Sequence, residues 1–319
     1  RDVRPRMQGR EKSNIWLYLI AVLVWGSTWF AIEFQLGTVA PEVSIVYRYS
    51  AAALLLFAWC RYRNLNLKFS LREHGWFVLL GMLLFGLNYV LSYRAQVYIT
   101  SALAAIVFSS IVWMNILNAR LFYGVRAGRR TLFGSLLGVA GIITLFAPQV
   151  SEIAFTDAVF FGSVLSIMGA VVSSLGNMAS QGAQKRGLPV VQSNAWGMLY
   201  GAVLSGIFSV VAGHAFTFDW SVGYIVSLAY LTVFGSVIAF GAYLTLLGRI
   251  GAHKAGYAMV MFPVVALMLS IVFEGLELSL SIVIGTLLVL VGNVFVLETK
   301  AQRKPHAAPT SPRLASTEP

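Results

Sequence analysis

Residues 99–144 read ITSALAAIVFSSIVWMNILNARLFYGVRAGRRTLFGSLLGVAGIIT, and 151 positions later residues 250–295 read IGAHKAGYAMVMFPVVALMLSIVFEGLELSLSIVIGTLLVLVGNVF. Without a gap, Ile99 meets Ile250, Ala104 meets Ala255, Phe122 meets Phe273, Gly124 meets Gly275 and Gly141 meets Gly292. Each copy is two long apolar segments joined by a short polar turn. The order of the identities and the matching hydropathy around them point to a duplication, and a repeat of this length decides how the rest of the chain is read.

Composition places both copies in a bilayer. The chain is 58% hydrophobic and 11% charged, with mean hydropathy +0.77, whereas a soluble domain carries about 25% charged residues. A helix needs about 20 apolar residues to cross the hydrocarbon core. Ten segments qualify: Ile15–Phe34, Val43–Cys60, Gly75–Tyr93, Ile99–Ala119, Thr131–Ala147, Ala158–Ser180, Gln192–Ala212, Val222–Leu247, Lys254–Phe273 and Ser279–Leu297. The expected fold is an all-α integral membrane protein. Residues 1–14 form a cytoplasmic N-terminal segment, and 300–319, rich in Pro, Ala, Ser and Thr, a disordered cytoplasmic tail.

The net charge of +11 raises nucleic acid as a partner, but its placement argues for topology instead. All the Lys and Arg except Arg48 and Arg94 fall in alternate connections, starting with the N-terminus, while the opposite connections carry acids such as Glu42, Glu152, Asp157 and Asp219. By the positive-inside rule both termini are cytoplasmic. Five spans per half is an odd number, so the halves at 15–147 and 158–297 enter from opposite sides and form inverted repeats. Secondary transporters use this arrangement, with the substrate near the midplane between the halves.

Several stretches resemble a known family. Trp25-Gly-Ser-Thr-Trp-Phe-Ala-Ile in span 1, Pro41 with Arg48 and Ala51-Ala52 in span 2, Thr100-Ser-Ala-Leu-Ala-Ala opening span 4, and Gly251-Ala-His-Lys-Ala-Gly with Pro263 and Glu274 resemble the EamA-type members of the drug/metabolite transporter superfamily. The resemblance implies a ten-helix exporter of small molecules in the bacterial inner membrane, closest in pattern to the aromatic amino-acid exporters. The first half departs from it, with Val112 where Pro263 stands in the second and Tyr123 in place of the acid.

Polar and aromatic residues within spans are the candidate site, because unsatisfied polar groups are costly in lipid. They are Trp25 and Ser27 (with Thr28), Asn88 and Tyr89 one turn before Tyr93, Ser110 and Trp113, Asn177 below Ser166 and Ser173, and Tyr257 with Met261. Trp, Tyr and Met with a few hydroxyls and amides suit a part-apolar solute with a polar head. The competing reading has the serines and asparagines bonding neighbouring helices and the aromatics facing lipid. Pro263 is expected to bend span 9 by freeing a carbonyl. Arg48 sits several positions inside span 2. It is a candidate for a substrate carboxylate, with snorkelling or pairing to Glu42 or Glu33 the favoured alternative.

No carboxylate stands mid-span, which argues for facilitated diffusion, and no nucleotide-binding loop is present. The lone Cys60 and four scattered histidines make no metal cluster, so neither metal nor cofactor is expected. The expected function is export of aromatic and other neutral amino acids by alternating access around a cavity lined by spans 1, 3, 4, 6, 8 and 9. The partners are the solute and the lipid bilayer, and a monomer is favoured. An exporter of amphipathic drugs or other small metabolites is the alternative, and a drug exporter of cations would call for an acidic cavity residue. A polytopic membrane enzyme would need paired acids, a His-Asp dyad or a metal cluster, so no enzyme is expected.

Overall fold

In the computed structural model the described residues are 4–35, 37–99, 107–148, 156–273 and 278–297. They are all-helical, with no strand among them. The tail from 300, the opening of span 4 at 100–106 and Glu274 lie outside this set, as does the side chain of Glu33.

Ten helices carry the architecture of these residues. They are α1 (Arg4–Glu33), α2 (Pro41–Tyr62), α3 (Leu71–Leu80, Gly81–Leu87 and Asn88–Tyr98 in continuous sequence), α4 (Ile111–Tyr123) and α5 (Arg129–Leu145). Then come α6 (Asp157–Lys185), α7 (Val190–Val211), α8 (Val222–Tyr230, Leu231–Ile238 and Ala239–Ile250), α9 (Ala258–Phe273) and α10 (Leu280–Leu297), with one short turn of helix at Ala252–Ala255 before α9. Six continuous helical stretches, in α2, α3, α6, α7, α8 and α10, are long and apolar enough to cross a membrane. Large apolar side chains such as Trp16, Leu54, Leu121 and Val211 stand exposed around the outside, a surface that lipid covers and water would not tolerate.

Local signals set the helix ends. Pro41 opens α2 at a position where its missing N–H costs nothing. Ser70 and Glu73 cap α3 reciprocally: the Ser70 N–H donates to Glu73 Oε2 at 2.6 Å and the Glu73 N–H to Ser70 Oγ at 3.4 Å. The Ser70 backbone N–H and, next, the Ser70 hydroxyl, which donates to Glu73 Oε2 at 2.8 Å, hold the exposed Glu73 carboxyl below the usual carboxylate range. Helix α1 starts well before the span expected from Ile15, because the polar segment from Arg4 continues it as helix.

Two middle segments, Gly81–Leu87 in α3 and Leu231–Ile238 in α8, are π-helical. Shifted by the 151 positions of the repeat, the first lands on 232–238. The packing has the same internal correspondence. The main pairs are α5 with α10, α2 with α7, α3 with α6, α1 with α8, α1 with α9, α4 with α6, α3 with α7, and α2 with α8. Moving each helix five places along, and back again past ten, maps this set onto itself.

Glycines set the closest crossings. A Cβ at Gly141 would stand 2.7 Å from the Gly285 carbonyl oxygen, and one at Gly285 would stand 2.7 Å from that of Gly141, so α5 and α10 cross backbone to backbone. In the same way a Cβ at Gly81 would lie 2.6 Å from the Gly197 carbonyl of α7.

Candidate functional site

A cavity of about 140 Å³ lies among α1, α2, α3, α6, α8 and α9 and Phe108, just before the turn that precedes α4. A buried water needs roughly 10–15 Å³ of such space, so the cavity admits a solute on the order of ten non-hydrogen atoms. That is below the roughly 300–1,000 Å³ of drug-sized pockets.

The α1 face is Trp25, Thr28 and Ile32, spaced at one and two turns. Trp25 forms the aromatic floor, with ring centroids 4.7 Å from Phe240, 5.1 Å from Tyr243 and 5.3 Å from Phe262. Its indole N–H donates to the Gly235 carbonyl at 2.9 Å. That carbonyl is available because the π-helical turn directs the Ala239 N–H to Phe234 rather than to Gly235. Widened turns of this kind recur at functional sites.

From α3 come Leu84, Asn88, Tyr89, Ser92 and Tyr93, and from α6 Ser166, Ser173 and Asn177. Asn177 Nδ2 donates to Asn115 Oδ1 of α4 at 3.2 Å, which ties α6 to α4 behind the cavity wall. The Tyr243 hydroxyl lies beside the Asn177 side chain, within hydrogen-bonding reach of it, and neither that hydroxyl nor Asn177 Oδ1 has a further partner among the described residues. Such buried, unfilled groups are costly in a low-dielectric site.

The lining repeats with the sequence. Tyr89 and Phe240, Ser92 and Tyr243, and Phe108 and Met259 are each 151 positions apart, and all six face the cavity. Spans 4 and 9 are both interrupted beside it. Residues 107–108 are helical, Ser109–Ser110 form a turn, and α4 then resumes at Ile111. Gly256–Tyr257 break the chain just before α9. There a side chain on Gly256 would collide with the Asn115 amide.

Of the residues singled out by sequence, Trp25, Thr28, Asn88, Tyr89, Tyr93, Ser166, Ser173 and Asn177 line this cavity together, with Arg48 beside them. The others do not. Ser27 is turned toward α8, its Oγ 2.5 Å from the Tyr230 hydroxyl. Ser110 sits in the turn before α4 and Trp113 is half-buried beyond it. Met261 is buried outside the lining, and Met259, two residues earlier, takes that place. Tyr257 points away between α5 and α10, donating to the Val289 carbonyl at 3.1 Å and approaching that of Gly134 at 3.3 Å. Its hydroxyl is committed to backbone, which makes it a packing residue at this junction. Helix α9 runs on through Pro263, so the discontinuity of span 9 falls at Gly256–Tyr257 rather than at the proline; the Pro263 side chain itself is outside the described set.

Arg48 departs most from expectation. Its pairing with Glu42 does not occur, because Glu42 is engaged by Arg94 Nε at 3.2 Å and faces His214 Nε2 at 3.8 Å. Six residues further along α2, about 9 Å at 1.5 Å per residue, Arg48 is only 3% exposed and so does not snorkel. Its Nε donates to Ser236 Oγ at 2.7 Å. Phe240, Tyr243 and the Gly235–Ser236 pair that holds Trp25 and Arg48 are not singled out in sequence, because the π-helical register that presents them leaves no mark there, and Phe262 lies in α9, a span apolar along its length.

A helical bundle of membrane-length apolar segments around an aromatic, part-polar cavity defines a membrane carrier. The EamA-like transporter family model matches residues 12–147 and 160–298, and the chain belongs to that family. It is 23% identical over 296 residues to the uncharacterized transporter YoaV of Bacillus subtilis (strain 168), covering 91% of this chain and 99% of that one. It is 28% identical over 259 residues to the uncharacterized inner membrane transporter YedA of Escherichia coli (strain K12), covering 81% of each. A solved crystal structure has the same fold, with TM-score 0.74 at 18% identity over 90% of this chain and 96% of that one. Family and relatives point to a multi-pass membrane transporter rather than an enzyme.

Proposed function

We propose that the protein exports aromatic and other neutral amino acids across the bacterial inner membrane by facilitated alternating access. In this reading ten spans form two five-helix repeats, 15–147 and 158–297, inverted relative to each other. Residues 1–14 and 300–319 lie in the cytoplasm. The two repeats rock about the cavity between them and expose it to one side at a time.

The observation that carries the reading is the lining itself. Equivalent positions of the two copies, Tyr89 with Phe240, Ser92 with Tyr243 and Phe108 with Met259, converge on one cavity of about 140 Å³. A site shared by two copies of opposite orientation is one arrangement by which secondary transporters achieve alternating access. The interchange of helix pairs on moving five places along supports the duplication. Volume and aromatic lining suit an amino acid better than an amphipathic drug. A drug exporter of cations is disfavoured further, because the described lining contains a guanidinium and no carboxylate.

Counterflow tests this. In liposomes with no imposed ion gradient, preloaded unlabelled phenylalanine is expected to drive transient accumulation of labelled phenylalanine at least about tenfold over empty vesicles, a ratio equivalent to about 1.4 kcal/mol. If a lipophilic cation exchanges and no amino acid does, the substrate assignment is wrong.

A further inference from the structure

Among the described lining residues Arg48 is the one ion, and no carboxylate faces it. A guanidinium carries five N–H donors. Ser236 takes Nε, and the Tyr93 hydroxyl is within hydrogen-bonding reach. The Tyr49 and Tyr89 rings lie 5.4 and 5.3 Å from its central carbon. The acid nearest in α2, Glu42, is occupied by Arg94 and His214. Room for the group is built in: a Cβ on Gly235 would stand 3.1 Å from Nη2. A buried charge is costly unless it is paired, and among the described residues this one has hydroxyls and ring faces but no opposite charge. The planar fork matches a carboxylate through two parallel hydrogen bonds.

We propose that Arg48 is the carboxylate subsite of the cavity, and that it recognises small monocarboxylates with an apolar body whether or not they carry an α-ammonium. This rests on the cavity being the transport site. The carboxylate lies on Arg48, held in aim by Ser236 and Tyr93. The apolar body lies toward Trp25, Phe240 and Phe262. An α-ammonium finds no charged partner in the described lining, only the neutral Asn177 Oδ1 and the Tyr243 hydroxyl. It therefore adds little to recognition, while the carboxylate dominates it.

The test is competition against labelled phenylalanine counterflow at neutral pH, with labelled 3-phenylpropionate run in parallel. Unlabelled 3-phenylpropionate is expected to compete within about fivefold of phenylalanine. Phenylalaninamide and 2-phenylethylamine, which lack the carboxylate, are expected to be about 10- to 100-fold weaker, the range of a lost charge-assisted hydrogen bond. In Arg48→Gln this preference for the acid over the amide collapses, and Arg48→Lys retains part of it. Should Arg48→Gln not be recovered folded, the wild-type panel decides alone. An amide that competes as well as the amino acid overturns the proposal. Exchange of 3-phenylpropionate without phenylalanine supports the subsite and rejects the amino-acid assignment. Exchange of no carboxylate at all overturns both.

Discussion

Gly292→Val is expected to remove folded protein from the membrane. The added Cβ would lie 2.5 Å from the Gly134 carbonyl oxygen and 2.9 Å from the Gly138 N, and would strike the Tyr257 hydroxyl. Two of these obstacles are backbone of α5, so the clash is relieved only if α5 and α10 separate. They pack together more extensively than any other pair. Overpacking a core costs about 1–3 kcal/mol where side chains can adjust. Here adjustment also breaks the Tyr257 bond to the Val289 carbonyl, and the loss is expected to exceed about 3 kcal/mol, a large part of a typical stability of about 5–15 kcal/mol. Size-exclusion profiles and thermal unfolding of detergent-solubilised protein measure it. Gly241→Ala is the control: nothing lies within 4 Å of its Cβ, and alanine gains up to about 1 kcal/mol of helix propensity there. Equal behaviour of the two variants would show that the α5–α10 crossing is not as close as described.

Ser173→Phe is expected to reduce counterflow below about a tenth of wild type, more than about 1.4 kcal/mol in transport terms, without loss of folded protein. Ser173 is buried in α6 and faces the cavity. A phenyl group there occupies much of the 140 Å³ that the solute needs. Because the ring enters existing space, thermal stability is expected to hold or rise, as cavity-filling substitutions commonly give. Ser173→Ala leaves the space open and is expected to transport near the wild-type rate. Normal transport by Ser173→Phe would put the solute route elsewhere in the bundle.

The helical, membrane-embedded class of the chain was legible in its composition, and its family in motifs such as Trp25-Gly-Ser-Thr and Gly251-Ala-His-Lys-Ala-Gly. Composition works here because a bilayer admits few architectures. What stayed hidden was azimuth. Ser27 and Thr28 are neighbours, yet about 100° apart around the helix; Thr28 lines the cavity and Ser27 bonds toward Tyr230. In spans that are apolar all round, no stripe marks the inward face. Tyr257 and Met261 look like cavity residues for the same reason, while the lining position belongs to Met259. The π-helical turns were illegible because Gly81–Leu87 and Leu231–Ile238 differ from helix only in hydrogen-bond register. Even so, they free the Gly235 carbonyl for Trp25. For Arg48 the inference failed on depth, since a long cationic side chain near a span end reads as snorkelling until its burial is known.

The transported solute is expected to occupy the cavity lined by both copies. Thiol modification of Ser173→Cys tests it most directly, in a background where the one cysteine of this sequence, the buried Cys60, is replaced by alanine. Phenylalanine is expected to slow the modification, with half-protection at the concentration that half-saturates counterflow. A modification rate indifferent to phenylalanine, in protein that still exchanges it, would contradict the account.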